Sequence, residues 1–402
     1  MLCNRIDVDG VAPQKEKSIE LGFYNLKNEE WHRIGESDSW NWQQGAMLQW
    51  IPGVGNENKV IYNTSHNNKL ISIIHDIETG IDKQINWPIY GLTPDGKKSI
   101  TIDLERSYWC RAYHYQSVVN HEKEGRVYNE DGIFEVDLEI NEVKRILSIQ
   151  QIINADYQEY FETCKHWLEH IMINPSGTKI CFLHRFSPEN NVYNYQTRLC
   201  IADINGDNLQ VVPGWDKMSV SHFGWKSDDE FVIYTVLNTP ISSATSAASD
   251  QTINLKVKSQ LICLLRSIVP QTLKMKIRAK SKGYFYYTIT SGKIQLLAKW
   301  QGKNLDIDGH PSFTSDGRYM ITDSYPAPNG FQRLLVYDTQ TNRSLVLAKI
   351  YASFNNNPAS CDLHPKMCKD NNFLAVDTAY DKLHHLILFK INWELINKYF
   401  EV

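Results

Sequence analysis

His170, His222, His310 and His364 stand in short phrases of similar build. These are Glu169-His170-Ile171-Met172, Ser221-His222-Phe223-Gly224-Trp225, Asp308-Gly309-His310-Pro311 and Cys361-Asp362-Leu363-His364-Pro365. Each lies just upstream of a polar turn that leads into a strand-like run. Successive members are 52 to 88 residues apart, so no local metal motif contains them. If the repeats are arranged radially, residues at one repeat position form a ring about one axis. Imidazoles at three or four corners suit Zn²⁺, Fe²⁺ or Mn²⁺, with water or a carboxylate completing the shell. Asp308 and Asp362 precede two of the histidines by two residues and can ligate the ion or orient the rings. Taken singly, each histidine reads as a side chain that holds a loop. The shared repeat position is what favours a metal.

A second set of residues suits an acidic sugar. His184 and Arg185 follow the strand-like Lys179-Ile180-Cys181-Phe182-Leu183. A neutral His184 can take a proton near pH 7. Arg185 can grip a carboxylate with its planar fork. Arg111, Tyr113, His114 and Tyr115 form a polar-aromatic cluster, and Asn41-Trp42-Gln43-Gln44-Gly45 adds an aromatic and amides. Asp323, Tyr325 and Arg333 surround a later turn. Aromatic faces stack on sugars, while Arg and amide groups meet hydroxyls and carboxylates. With 11 Trp and 21 Tyr, core packing explains much of the same content. No G-x-S-x-G elbow, P-loop, dinucleotide fingerprint or H-E-x-x-H appears.

The elements that must position these residues show a weak repeat. A strand-like run ends in a turn rich in Asp, Asn, Thr and Gly. Clear cases are Ile73-Ile74-His75-Asp76-Ile77-Glu78-Thr79-Gly80 and Leu335-Val336-Tyr337-Asp338-Thr339-Gln340-Thr341-Asn342. Anchored at positions 25, 76, 137, 203, 288, 338 and 391, the units are spaced 51, 61, 66, 85, 50 and 53 residues apart. A second phrase precedes the first in most units, as in Leu92-Thr93-Pro94-Asp95-Gly96 and Phe313-Thr314-Ser315-Asp316-Gly317. The pattern predicts an all-β fold, a seven-bladed β-propeller forming one domain over 1–402, with an insertion at 235–282. The first unit has a late phrase and no clear early one, so ring closure is expected to pair the chain ends. The insertion begins with small residues, continues with many Lys and Arg, and reads as a solvated excursion or a basic lid.

The composition is globular: 402 residues, 42% hydrophobic and 22% charged, with a formal net charge of −4. That balance argues against a nucleic-acid partner. No run is apolar enough for a membrane span. The first residues lack a basic head and an apolar core, so a cytoplasmic protein is expected. Eight cysteines without C-x-x-C spacing read as reduced thiols.

The sequence resembles the oligogalacturonate lyase family of seven-bladed propellers and related uncharacterised bacterial propellers. The resemblance rests on Trp42-Gln43-Gln44-Gly45, Phe182-Leu183-His184-Arg185, Ser221-His222-Phe223-Gly224-Trp225, Asp308-Gly309-His310-Pro311 and Cys361-Asp362-Leu363-His364-Pro365. It implies β-elimination on short uronate oligosaccharides at a His-rich site holding a divalent metal, typically Mn²⁺, with Zn²⁺, Fe²⁺ or Ca²⁺ left open. Where the family has two closely spaced histidines on a late segment, this chain has Asp362, His364 and, two residues on, Lys366. The expected metal ligands are His222, His310, His364 and His170. The expected catalytic pair is His184 as base and Arg185 as carboxylate clamp. Trp42, Gln43, Gln44, Arg111, Tyr325 and Arg333 are expected to bind substrate. The expected partner is an acidic oligosaccharide, with no nucleic acid and no membrane; a homodimer stays open. Two other readings remain: a non-catalytic propeller that binds protein or glycan, and a hydrolase or epimerase using the same histidines.

Overall fold

A computed structural model describes residues 2–5, 18–41, 43–110, 127–188, 194–237, 282–353 and 361–401. Strands dominate, and every sheet is an antiparallel meander in sequence order. Blade one comprises Gln49–Trp50, Lys59–His66, Lys69–Asp76 and Asp82–Ile85. Blade two comprises Gly91–Leu92, Lys98–Ile102, Gly132–Asp137 and Glu142–Ser148. Blade three comprises Cys164–Ile173, Lys179–Pro188, Gln196–Asp203 and Gln210–Val211. Blade four comprises Met218–Trp225, Glu230–Leu237, Lys282–Thr290 and Lys293–Lys299. Blade five comprises Ser312–Phe313, Tyr319–Asp323, Phe331–Asp338 and Arg343–Tyr351. Blade six has three strands, Lys366–Met367, Phe373–Thr378 and His385–Lys390.

The ring is a propeller of six blades, which corrects the expectation of seven. Six sheets open on an inner strand, and the inner strands of blades two and three, four and five, and five and six touch one another. The N-terminal sheet, Leu2–Arg5, Ile19–Asn25 and Glu30–Ser37, carries the late hairpin but no inner strand among the described residues. It packs against blade one and the segment that leads into it, where Ile19 and Leu21 meet Trp40, Ala46 and, on the second strand, Tyr62. Lys369 of blade six, Trp50 of blade one and Leu92 of blade two line one open cavity. No sheet of the described residues combines strands from the two chain ends, so closure by end pairing is also corrected.

The two phrases of the repeat have a physical cause in the turns they form. Asp76, Asp137 and Asp338 each end a strand and accept a backbone N–H two residues on, at 3.0, 2.9 and 2.9 Å. Gly80, Asn141 and Asn342 follow in the left-handed region, which their types tolerate. In the early turns, the Thr93 and Thr314 hydroxyls donate to Asp95 and Asp316, both at 2.6 Å. Gly96 has φ +69, and a Cβ there would lie 1.9 Å from the Pro52 carbonyl oxygen.

Glu230–Leu237 pairs directly with Lys282–Thr290, from Glu230 opposite Thr288 to Val236 opposite Lys282. Of the expected insertion at 235–282, Thr235–Leu237 and Lys282 are strand residues of blade four. Residues 238–281 lie outside the described residues. Among the described residues blade six has no fourth strand, and the helix Trp393–Glu401 packs beside it. Trp393 stacks on Tyr319 at 4.9 Å, and Ile396 and Phe400 join the core between blades five and six. Among the described residues no helix is long and apolar enough to cross a membrane.

Candidate metal centre

The four histidines occupy inner strands, or the residues that lead into them, on blades three to six. His170 and His222 each sit where the pairing register slips, between Glu169 and Met172 and between Val220 and Phe223. Such bulges re-aim side chains that the regular pleat would point into a blade. His310 and His364 precede the inner strands of blades five and six and are each followed by proline. His170 and His364 have positive φ, 55° and 39°.

The rings converge. His222 and His310 have centroids 4.1 Å apart, and His310 and His364 are 4.2 Å apart. His170 lies further out, 6.4 Å from His222. One ligand atom each from His310, Asp362 and His364 lie within 4.8 Å of one another, a candidate metal-binding triad. Tyr325 flanks the stack, 6.0 Å from His222 and 6.2 Å from His310.

Carboxylates hold the far side of two rings. His222 Nδ1 is 2.9 Å from Asp308 Oδ1. His310 Nδ1 is 3.0 Å from both oxygens of Asp323, and the His310 backbone N–H donates to Asp323 Oδ1 at 2.6 Å. Asp323 is 1% exposed and also accepts from the backbone N–H groups of Leu363 and His364, at 3.1 and 3.2 Å. Burial alone would raise the Asp323 carboxyl; the His310 charge and hydrogen bond outweigh it and hold the group far below the carboxylate range. Burial likewise opposes a charge on His310, yet Asp323 lifts its pKa to about 9. Burial, then the neighbouring His310, pushes both His222 and His364 down. Burial raises Asp362 to about 6 against the pull of His310. His310 and Asp362 are thus shifted toward their protonated forms and His364 toward its neutral form, so an ion entering this cluster would displace protons.

The other expected residues divide. Gln44 reaches the cluster's edge: its side-chain amide donates to the Tyr90 hydroxyl at 2.6 Å, and both line a small cavity with Glu169 and His170. Gln43 is exposed, with its backbone N–H on Asn41 Oδ1 at 3.0 Å. Arg333 is engaged with Asn304 at 3.0 Å. Trp42 and Arg111 lie outside the described residues, as do Tyr113, His114 and Tyr115.

His184 and Arg185 do not work as a pair. Arg185 is 6% exposed, with Nη1 2.8 Å from Glu169 and its guanidinium 4.8 Å from the Tyr195 ring centre. His184 is fully buried; its Nε2 meets His166 Nδ1 at 2.9 Å, and its Nδ1 accepts from Arg198 Nε at 2.7 Å. Both ring nitrogens of His184 are engaged and the ring is buried, an arrangement that does not offer the base expected at this position.

Sequence reading missed the anchoring role of Asp323 and the partners Glu169 and Tyr90. Asp323 lies 13 residues after His310, at the end of a buried strand. A carboxylate at the end of the strand Tyr319–Asp323, after Met320 and Ile321, was its signal.

No protein-family model matches the chain, and no curated protein matches it. Solved structures do. An oligogalacturonate lyase in complex with manganese superposes with a TM-score of 0.55 at 13% identity, over 94% of this chain and 84% of that one. An oligogalacturonate lyase from Vibrio parahaemolyticus gives 0.56 at 13% identity, over 94% and 84%. At that identity the likeness is a distant relationship in fold.

Proposed function

We propose that the protein holds a divalent metal ion on His310, His364 and Asp362 and cleaves a uronate-containing oligosaccharide by β-elimination. The observation that carries this reading is the stack His222–His310–His364, at 4.1 and 4.2 Å, with the Nδ1 atoms of His222 and His310 tied to Asp308 and Asp323. Those ties leave Nε2 of each ring for chemistry. Two imidazoles and one carboxylate suit Mn²⁺, Zn²⁺ or Fe²⁺. The fold likeness to a manganese-containing lyase supports the same reading.

β-Elimination removes the proton at C5 of a uronate, forms the C4–C5 double bond and breaks the C4–oxygen bond. A bound ion would supply positive charge to the substrate carboxylate as negative charge develops beside it. His222 Nε2 takes the C5 proton, and Asp308 holds that ring in the tautomer this needs. The leaving oxygen departs with a proton from solvent or a nearby donor. Tyr325, beside both rings, flanks the sugar. Arg185, already partnered by Glu169, fixes the wall of the site.

The test uses His222→Gln. Metal content by elemental analysis and the ultraviolet absorbance of unsaturated product are measured on a panel of acidic oligosaccharides. The parent should release product, and the variant should keep its metal while losing at least about 100-fold in rate. A parent that takes up metal but releases no product from any member of the panel rejects the lyase reading in favour of glycan binding.

A further inference from the structure

We infer that Asp323 is a positioning residue that sets the spacing and ring orientation of His310 and His364, and through them the affinity of the metal site. The inference rests on the metal reading above. It starts from an unusual concentration of bonds on one buried carboxylate. Asp323 ends the second strand of blade five and is 1% exposed. Its Oδ1 takes the backbone N–H of His310 at 2.6 Å and faces His310 Nδ1 at 3.0 Å. Its Oδ2 lies 3.0 Å from the same Nδ1 and takes the backbone N–H groups of Leu363 and His364 at 3.1 and 3.2 Å.

Two consequences follow. A carboxylate that accepts from Nδ1 fixes the tautomer of His310, so the lone pair available to an ion is on Nε2. The same carboxylate joins the segment ahead of blade five to the segment ahead of blade six. The two histidines therefore sit at a distance set by one side chain rather than by two independent loops.

The surrounding structure is built to admit this contact. Gly309 lets the backbone approach: a Cβ there would lie 2.0 Å from the Asp323 carbonyl oxygen. The Tyr284 hydroxyl donates to the Gly309 carbonyl at 3.1 Å and pairs with Thr322 at 2.7 Å, which fixes the loop from behind. An asparagine at 323 keeps the shape but replaces one acceptor oxygen with an NH₂ donor. It cannot serve the His310 ring and the backbone groups of both segments together.

The experiment is calorimetric titration of the full-length chain with Mn²⁺, in the wild type and in Asp323→Asn, with circular dichroism to report folding. The wild type should bind, and the folded variant should bind about 10- to 100-fold more weakly. A folded variant with unchanged affinity overturns the inference alone. A wild type that binds no Mn²⁺ overturns the metal reading beneath it as well. If the variant does not fold, the wild type carries the test through ¹⁵N-histidine NMR during titration with diamagnetic Zn²⁺. His310 should keep its proton on Nδ1 while Nε2 shifts. A shift at Nδ1 with loss of its proton overturns the inference.

Discussion

His184 and Arg185 are consecutive on the strand Lys179–Pro188 and project to opposite sides of it. His184 meets His166 and Arg198 inside the blade, whereas Arg185 meets Glu169 and Tyr195. The two-residue period of a strand requires this. On a regular strand two neighbours face away from each other, so this pair does not converge on one point as a base and a clamp would.

His184→Ala should be a stability variant. It leaves the Arg198 Nε donor and the His166 ring without their partner and opens a void beside Phe161 and Phe186. The expected loss is about 2–4 kcal/mol in urea unfolding. Metal stoichiometry of the folded fraction should match the wild type. A variant with wild-type stability and lowered metal content would contradict the placement of His184 in the core.

The same residue gives the protein an acid sensitivity. Burial first, then the charges of Arg198 and His166, hold the His184 pKa well below 6.5. The unfolded chain therefore takes up the proton first as pH falls. Stability from this residue is complete above an unfolded pKa of about 6.5 and is lost as pH falls toward the folded value, at up to about 1.4 kcal/mol per pH unit. Urea midpoints at about pH 7.5 and about pH 5.5 should fall less in His184→Gln than in the wild type. Equal falls would remove His184 from the account.

His310→Ala and His364→Ala should each abolish stoichiometric binding of a divalent ion. Each removes one of three donors whose ligand atoms lie within 4.8 Å of one another. Elemental analysis after dialysis against Mn²⁺ is the measurement, paired with circular dichroism. His170→Ala should retain the ion, because its ring stands 6.4 Å from His222 and outside the triad. Full occupancy in either of the first two variants would sink the assignment.

Gly96→Ala should destabilise the junction of blades one and two. Its φ of +69° disfavours any L side chain, and the new methyl would lie 1.9 Å from the Pro52 carbonyl oxygen. A loss of more than about 1 kcal/mol is expected in thermal or urea unfolding. Gly80, also in the left-handed region but with open space around it, should lose less on the same change. The ranking of the two variants is the check.

Much of this was readable from repeat position. His222, His310 and His364 are far apart in sequence, and only the assumption of radial order brings them together. The missing early phrase of the first unit is visible in the sequence, but it suggests ring closure by the chain ends in a seven-bladed ring; in the structure that unit is a sheet with no inner strand among the described residues, beside six blades. The facing of His184 followed from strand alternation, a local rule that the adjacency of a useful histidine and arginine obscured. Asp323 was not readable as an anchor. Its bonds reach the His310 loop and the segment ahead of blade six, and nothing in the local sequence encodes that meeting.

The order of the blades along the chain has a consequence for when the site comes into being. His170, His222, His310 and His364 belong to blades three, four, five and six in turn, and Asp323 of blade five reaches its last two backbone partners only when Leu363 and His364 exist. During synthesis from the N-terminus, blades one to four can form with no competent ligand set among them. On the proposed metal reading, uptake of an ion would follow completion of blade six, which brings His364 and Asp362 to His310. A chain truncated before Asp362 would lack two of the three residues of the candidate triad.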